Sequence, residues 1–221
     1  MAGEKSVSIT SLITVPALIT LAITLLRLVG ELEHWPTVLF STAAGGGGAI
    51  VGISWLPIIF GPYFALKLAG AGQGPSSSGK AIGFAVLGLV VYFLAMVWFG
   101  LSFRHISYLI LLPLVLVLVS AFIPGIGWRS LGNTLLAYAF AARIPVLIVM
   151  FVAMRQGWET HYSRIGPEFA NVGFARQYLY EAFIPQMTMW IGWTVIVGSV
   201  IGTIVAAVVR SGKQPVQAVA H

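Results

Sequence analysis

The run LGNTLLAYAFAARIPVLIVMFVAM, Leu131 to Met154, contains one charged residue, Arg143, in an otherwise apolar stretch. As a helix rising about 1.5 Å per residue it is long enough to cross the roughly 30 Å of a bilayer's hydrocarbon. It is too long for a barrel strand, and lipid offers the backbone no partner, so the run must satisfy its own hydrogen bonds as a helix.

Reading outward, further apolar runs of similar length lie at about 9–29, 40–68, 81–103, 106–123 and 183–209. The expected fold class is an all-α integral membrane bundle of six transmembrane helices, in one domain over residues 1–221. The first run has no small-x-small cleavage site at its end and is closed by Arg27, so it reads as a retained helix rather than a signal peptide. Residues 155–182 form an aromatic loop expected at the headgroup level, and 210–221 a polar tail.

Composition agrees. Charged residues make up 8% of the chain where a soluble domain carries roughly 25%, and hydrophobic residues 58%. Mean hydropathy is +0.95. These values exclude a soluble enzyme, a nucleic-acid-binding module and a disordered chain. The partner expected from them is the lipid bilayer, with no nucleic acid. The net charge of +6 then reads as basic residues near an anionic leaflet. Cysteine and aspartate are both absent, which removes disulfides, thiolate metal sites and aspartyl chemistry.

An even number of spans puts both termini on one face. Lys and Arg divide almost equally between the faces. All the acids except Glu4 (Glu31, Glu33, Glu159, Glu168 and Glu181) fall on the other one, with His34, His105 and His161. The terminal face is therefore assigned to the cytoplasm of a plasma-membrane protein.

Arg143 is the sharpest local feature. An Arg at a helix centre costs roughly 2.5–3.5 kcal/mol on the insertion scale, so by default it marks a function or a structural hub. As a hub it would bond carbonyls that Pro57, Pro62, Pro113 and Pro145 release from their helices. As a site it would contact an anionic or polar solute. Thr10, Thr14, Thr20, Thr24, Arg27 and Glu31 share one face of the first span, ending in an i,i+4 ion pair. That stripe is either one wall of an aqueous path or ordinary threonine packing.

The second span is crowded with helix breakers: Gly45, Gly46, Gly47, Gly48, Gly52, Pro57, Gly61 and Pro62. It is expected to be broken or re-entrant, as in transporters that build sites from discontinuous helices. Arg143, Thr20, Thr24, Arg27, Glu31, Gly47 and Gly48 are accordingly the candidate substrate-binding residues. A fainter correspondence between Leu56–Lys67 and Ile144–Arg155 would, as an inverted repeat, set a second broken helix opposite the first.

Glu33, His34, Glu159 and His161, near Glu31, are weaker candidates for a metal site, since their residue types suit zinc but their spacing is common. The histidines lie at span ends, unlike haem ligands, and phosphate-cradling glycine motifs are absent, so no cofactor is expected. Small-residue faces at Gly48/Gly52 and Gly198/Gly202 fit helix packing or contact with another copy or a membrane partner. Three functions follow in order: a small transporter or permease for a polar or anionic solute, a non-catalytic subunit of a membrane complex, and a membrane-embedded enzyme using Glu31, Glu159 and His161.

Overall fold

The computed structural model describes residues 7–103 and 111–211, and within them every regular element is helical. The elements are α1 (Ile9–Leu32), α2 (Leu56–Gly70), α3 (Ser78–Phe103), α4 (Leu111–Ser120), α5 (Ile123–Gly127), α6 (Arg129–Gln156), α7 (Phe174–Gln177) and α8 (Ile191–Ser211). Two π-helical stretches, Tyr178–Phe183 and Gln186–Trp190, join α7 to α8, so that Phe174–Ser211 is one apolar helical rod. This is an all-α membrane bundle. Four rods, Ile9–Leu32, Ser78–Leu101, Arg129–Gln156 and Phe174–Ser211, are long and apolar enough to cross a bilayer, and Leu56–Gly70 and Leu111–Gly127 are shorter apolar helices.

Local chemistry sets the ends. The Ser8 hydroxyl accepts from the Ser11 N–H at 3.2 Å and caps α1. Gly157, at φ 64°, closes α6 in the left-handed conformation that glycine adopts without strain.

Several boundaries differ from the sequence expectation. Residues 40–55 are not part of a membrane helix. They form turns and a short 3-10 segment at Ala44–Gly46, and α2 begins only at Leu56, where Pro57 occupies the first turn. The glycine-rich half of the expected second span is irregular, and its helical half, α2, passes Gly61 and Pro62 unbroken. The final rod starts at Phe174 rather than 183, so the later part of the aromatic loop is helical. The fourth run is interrupted between Ser120 and Ile123, and its link to α3, including Arg104 and His105, lies outside the described residues. So do Lys5, Lys213 and His221. The inverted-repeat expectation fails at its second half: α6 passes through Pro145 unbroken.

The packing is layered from the centre outward. In the apolar windows of α6 and of the last rod, 50% and 56% of residues are buried inside the protein, against 28% for α1 and 22% for α3. α6 and α8 form the centre, and α1 and α3 flank them. Val15, Leu18, Leu94 and Val97 project outward from the flanking helices, as lipid-facing side chains do. Tyr138 of α6 anchors the core. Its ring packs edge-on to Phe60 and Phe64 of α2, each with centroids 5.4 Å away, and its hydroxyl meets Thr20 Oγ1 at 2.8 Å.

The tightest crossing joins α2 to α8. A methyl group on Gly61 would land inside the Gly198 carbonyl, and one on Gly202 would lie 2.7 Å from the Gly61 carbonyl oxygen. The Gly198/Gly202 face is thus used inside the chain, backbone against backbone. Gly61→Ala should lower stability by about 1–3 kcal/mol through overpacking. Gly83→Ala on α3, where the added carbon meets nothing within 4 Å, should be neutral. Thermal unfolding of the detergent-solubilised protein measures both.

Candidate functional site

The functional candidates converge where α1 ends. The inward face of α1 is Leu12, Pro16, Thr20, Thr24, Arg27 and Glu31, a spacing of three and four that keeps one stripe against α6. Thr20 and Thr24 return their hydroxyls to the carbonyls of Pro16 and Thr20, which satisfies them without water. Thr10 and Thr14 stay exposed at the other end of the stripe.

Below them the Glu31 carboxylate, its side chain fully buried, gathers three donors. Arg27 Nε donates to Oε1 at 2.7 Å, His161 Nδ1 donates to the same oxygen at 2.6 Å, and the His161 backbone N–H donates to Oε2 at 2.8 Å. A carboxylate that takes N–H donors on both oxygens is ionised, and it holds His161 in the tautomer with the proton on Nδ1. Arg27 Nη2 donates to the Ser41 carbonyl at 2.9 Å, and Arg164 Nε to that of Thr42 at 3.1 Å. The non-helical 36–55 segment is therefore tied down by two guanidinium groups. Trp193 Nε1 adds a bond to the Ser54 carbonyl at 2.8 Å. This satisfies backbone that helical pairing leaves open.

Burial dominates the electrostatics at His161. It outweighs the Glu31 hydrogen bond that favours the charged ring, and the Arg27 charge acts in the same sense, so the imidazole sits below its ordinary value of 6.5. Burial likewise pushes the neighbouring Tyr162 hydroxyl above its usual range, and that hydroxyl donates to the Thr24 carbonyl at 3.3 Å.

Arg143 lies on α6 and is 4% exposed. Its Nη1 donates to Gln186 Oε1 at 3.4 Å, and its guanidinium lies 4.8 Å from the centre of the Trp190 ring. Such a contact contributes about 0.5–2 kcal/mol. Nε has no partner, and Arg143 makes no ion pair among the described residues. The carbonyl-hub expectation is not met, since its protein partner is a side-chain amide and not a carbonyl released by proline.

A cavity of about 490 Å³ connects these groups. Its volume is ordinary for a small-molecule site, which runs roughly 300–1,000 Å³. The buried Arg143, Met150 and Gln186 line its inner part with the half-buried Met189 and Trp190 beside them, and Thr24, Arg27, His161 and Tyr162 form one wall. Ala44, Gly45, Arg164 and Glu168 are exposed at its rim, and the half-buried Glu181 accepts from the Gly166 N–H beside them. A second cleft of about 530 Å³, between α2 and α8 near Pro75 and Arg210, has no buried charge in its lining.

Of the candidate residues, Arg143, Thr24 and Arg27 line the cavity, and Glu31 joins it through His161. Thr20 is taken up in core packing with Tyr138. Gly47 and Gly48 are exposed and do not line the cavity, whereas Gly45 and Gly52 do. At Gly52 an added methyl group would sit 3.1 Å from Arg27 Nη1, so a side chain there would press on the guanidinium. Glu33, His34 and Glu159 are exposed and do not join Glu31 and His161, and no three His or Glu side chains among the described residues come together to hold a metal. The chain turns away after Leu32, with His34 at φ 54°.

Sequence reasoning missed Gln186, Trp190, Met150 and Tyr162. The one signal for the first two was their placement four residues apart in a helical run, which puts both beside Arg143. No protein-family model, curated protein or solved structure matches the chain.

Two outcomes follow from the Glu31 cluster. Glu31→Ala should cost about 3–5 kcal/mol, the usual penalty for leaving one partner of a buried pair uncompensated, read as a drop in thermal midpoint. His161 is also below its ordinary 6.5 in the folded chain, so the unfolded chain binds its proton more readily. This residue's contribution to stability is then complete above 6.5 and declines as pH falls below it. A pH series of unfolding midpoints should show that decline, and His161→Asn should flatten it.

Proposed function

We propose that this chain is a multi-pass protein of the cell membrane that binds a small anionic solute at Arg143 and acts as a transporter or permease for it. The observation that supports the reading is the guanidinium of Arg143, buried, without a carboxylate partner, and turned toward a cavity that reaches exposed residues at its rim. A buried charge is ordinarily paired, because the uncompensated ion is expensive. Here the fold supplies a neutral amide and an aromatic face, and leaves room for an anion to complete the set.

The composition of the cavity fits a selective path better than a water-filled pore. Met150, Met189 and Trp190 give the cavity apolar surface beside Arg143, and the acids of its lining, Glu168 and Glu181, lie away from the buried centre. A solute would shed its water in entering and recover the loss only by pairing with Arg143, which favours anions over neutral molecules. Glu168 and Glu181 at the rim neutralise part of the positive charge there, so the net attraction for an anion grows with depth. The irregular segment before α2 supports the same reading, since Gly45 and Gly52 bring non-helical backbone to the cavity wall. In this reading both termini face the cytoplasm and the cavity opens to the opposite side.

Uptake of labelled acetate, benzoate and inorganic phosphate into proteoliposomes is the direct test. Arg143→Gln should fold with an unchanged elution profile and lose uptake by roughly tenfold to a hundredfold, the factor set by a hydrogen bond to a charged group of about 1.5–3 kcal/mol. An Arg143→Gln protein that transports normally, or a wild type that moves none of the three anions, would overturn the proposal. A reporter fused at His221 should score as cytoplasmic.

A further inference from the structure

The anion reading leaves a buried carboxylate–imidazole pair on the cavity wall without a task. Structural pinning of the loop around residue 161 is already done by its main chain, whose N–H donates to Glu31 Oε2. The imidazole is an addition to that bond. Its Nδ1–H is committed to Glu31 Oε1, its ring lies against Tyr162 with centroids 3.8 Å apart, and it lines the same cavity as Arg143. The remaining ring nitrogen, Nε2, makes no hydrogen bond among the described residues.

We infer that His161 is the proton-binding site of this cavity, so that each monoanion held at Arg143 is accompanied by one proton on Nε2 of His161. The inference rests on the anion reading above and names its coupling ion.

The charges facing His161 decide the direction of linkage. Arg27 and Glu31 on α1, paired at 2.7 Å, act on the ring in opposite senses, Arg27 against the proton and Glu31 for it. Arg143 on α6 is unpaired across the cavity. Arg164 and Glu168 in the loop and Glu181 on the π-helical stretch lie toward the rim. Tyr162, adjacent in the chain, is a neutral phenol. With the cavity empty, burial and the Arg27 charge disfavour a proton on Nε2. A monoanion held at Arg143 brings a negative charge into the cavity that His161 also lines. The anion then attracts the imidazolium directly, while Glu31 continues to accept from Nδ1.

The proton comes from bulk water at the rim and forms one N–H bond on Nε2, and no other bond is broken. Loading is electroneutral, because the solute brings one negative charge and the proton one positive. Without the proton, each solute carried would move net negative charge. The bond to Glu31 is what makes this pair fit for the task, because a fixed Nδ1 tautomer leaves Nε2 as the one place for the incoming proton.

The test is calorimetric titration of the purified full chain in detergent with benzoate, in two buffers of different ionisation enthalpy, near neutral pH. The wild type should take up close to one proton per benzoate bound. Its affinity should fall about tenfold per pH unit where His161 is neutral when empty and protonated when loaded. His161→Asn retains a donor toward Glu31, and it should bind benzoate with no proton uptake and no dependence on pH.

If benzoate binds and Arg143→Gln abolishes the binding, but the wild type takes up no proton or His161→Asn still does, the proton assignment is wrong and the anion reading stands. If benzoate does not bind, or binds equally to Arg143→Gln, both fall together. Should His161→Asn not fold, His161→Gln takes its place, and a wild type that takes up no proton overturns the assignment in either case.

Discussion

The Glu31 carboxylate is the point on which the rest of the site depends. Three parts of the chain that share no helical hydrogen bonds meet at its two oxygens or one step beyond them: α1 itself, the irregular 36–55 segment reached through Arg27, and the 157–173 loop held through His161. Removing two full charges and a ring from water is costly, and the cost is offset here by complete donor satisfaction rather than by the ion pair alone. The carboxylate is also what fixes the imidazole tautomer. One side chain therefore sets both the shape of the cavity wall and the state of the group that faces into it.

Much of this was legible in the sequence, and the reasons are physical. The inward register of Thr20, Thr24, Arg27 and Glu31 follows from helical periodicity, which survives in lipid and in protein alike. Arg143 stood out because a charge far from any interface must be explained. The irregular first half of the second span followed from glycine density, whereas Pro57 and Pro62 were absorbed into a continuous α2. Gln186 gave little signal because one neutral amide barely lowers the hydropathy of an apolar run. Trp190 looked like any aromatic near a span. Tyr162 and Ser41 meet α1 across long stretches of sequence, and such contacts depend on how loops fold back, which local pattern does not encode. Glu33 and His34 were drawn into a metal hypothesis by their nearness to Glu31, yet the end of α1 points them outward.

The two arginines of the cavity illustrate how differently one side chain can be used. Arg27 has an acid one helical turn away, a carbonyl on its other arm and glycine giving it space at Gly52. It is a structural fixture. Arg143 has a long bond to an amide, an aromatic face beneath it and a nitrogen without a partner. The fold holds the first by completing its bonds and the second by stacking and confinement. Only the second retains capacity for something that is not part of the chain.

The glycine crossing of α2 and α8 has a mechanical consequence. Where side chains interdigitate, a helix can shift by changing rotamers at the contact. Gly61, Gly198 and Gly202 have none to change, and their backbones touch. α2 and α8 must then tilt or translate as one stiff body, carrying Trp190 and the bond from Trp193 to Ser54 with them. Any rearrangement that opened the cavity would fall on the side-chain-mediated seam between α1 and α6, where hydroxyls and rings can exchange partners without separating two backbones.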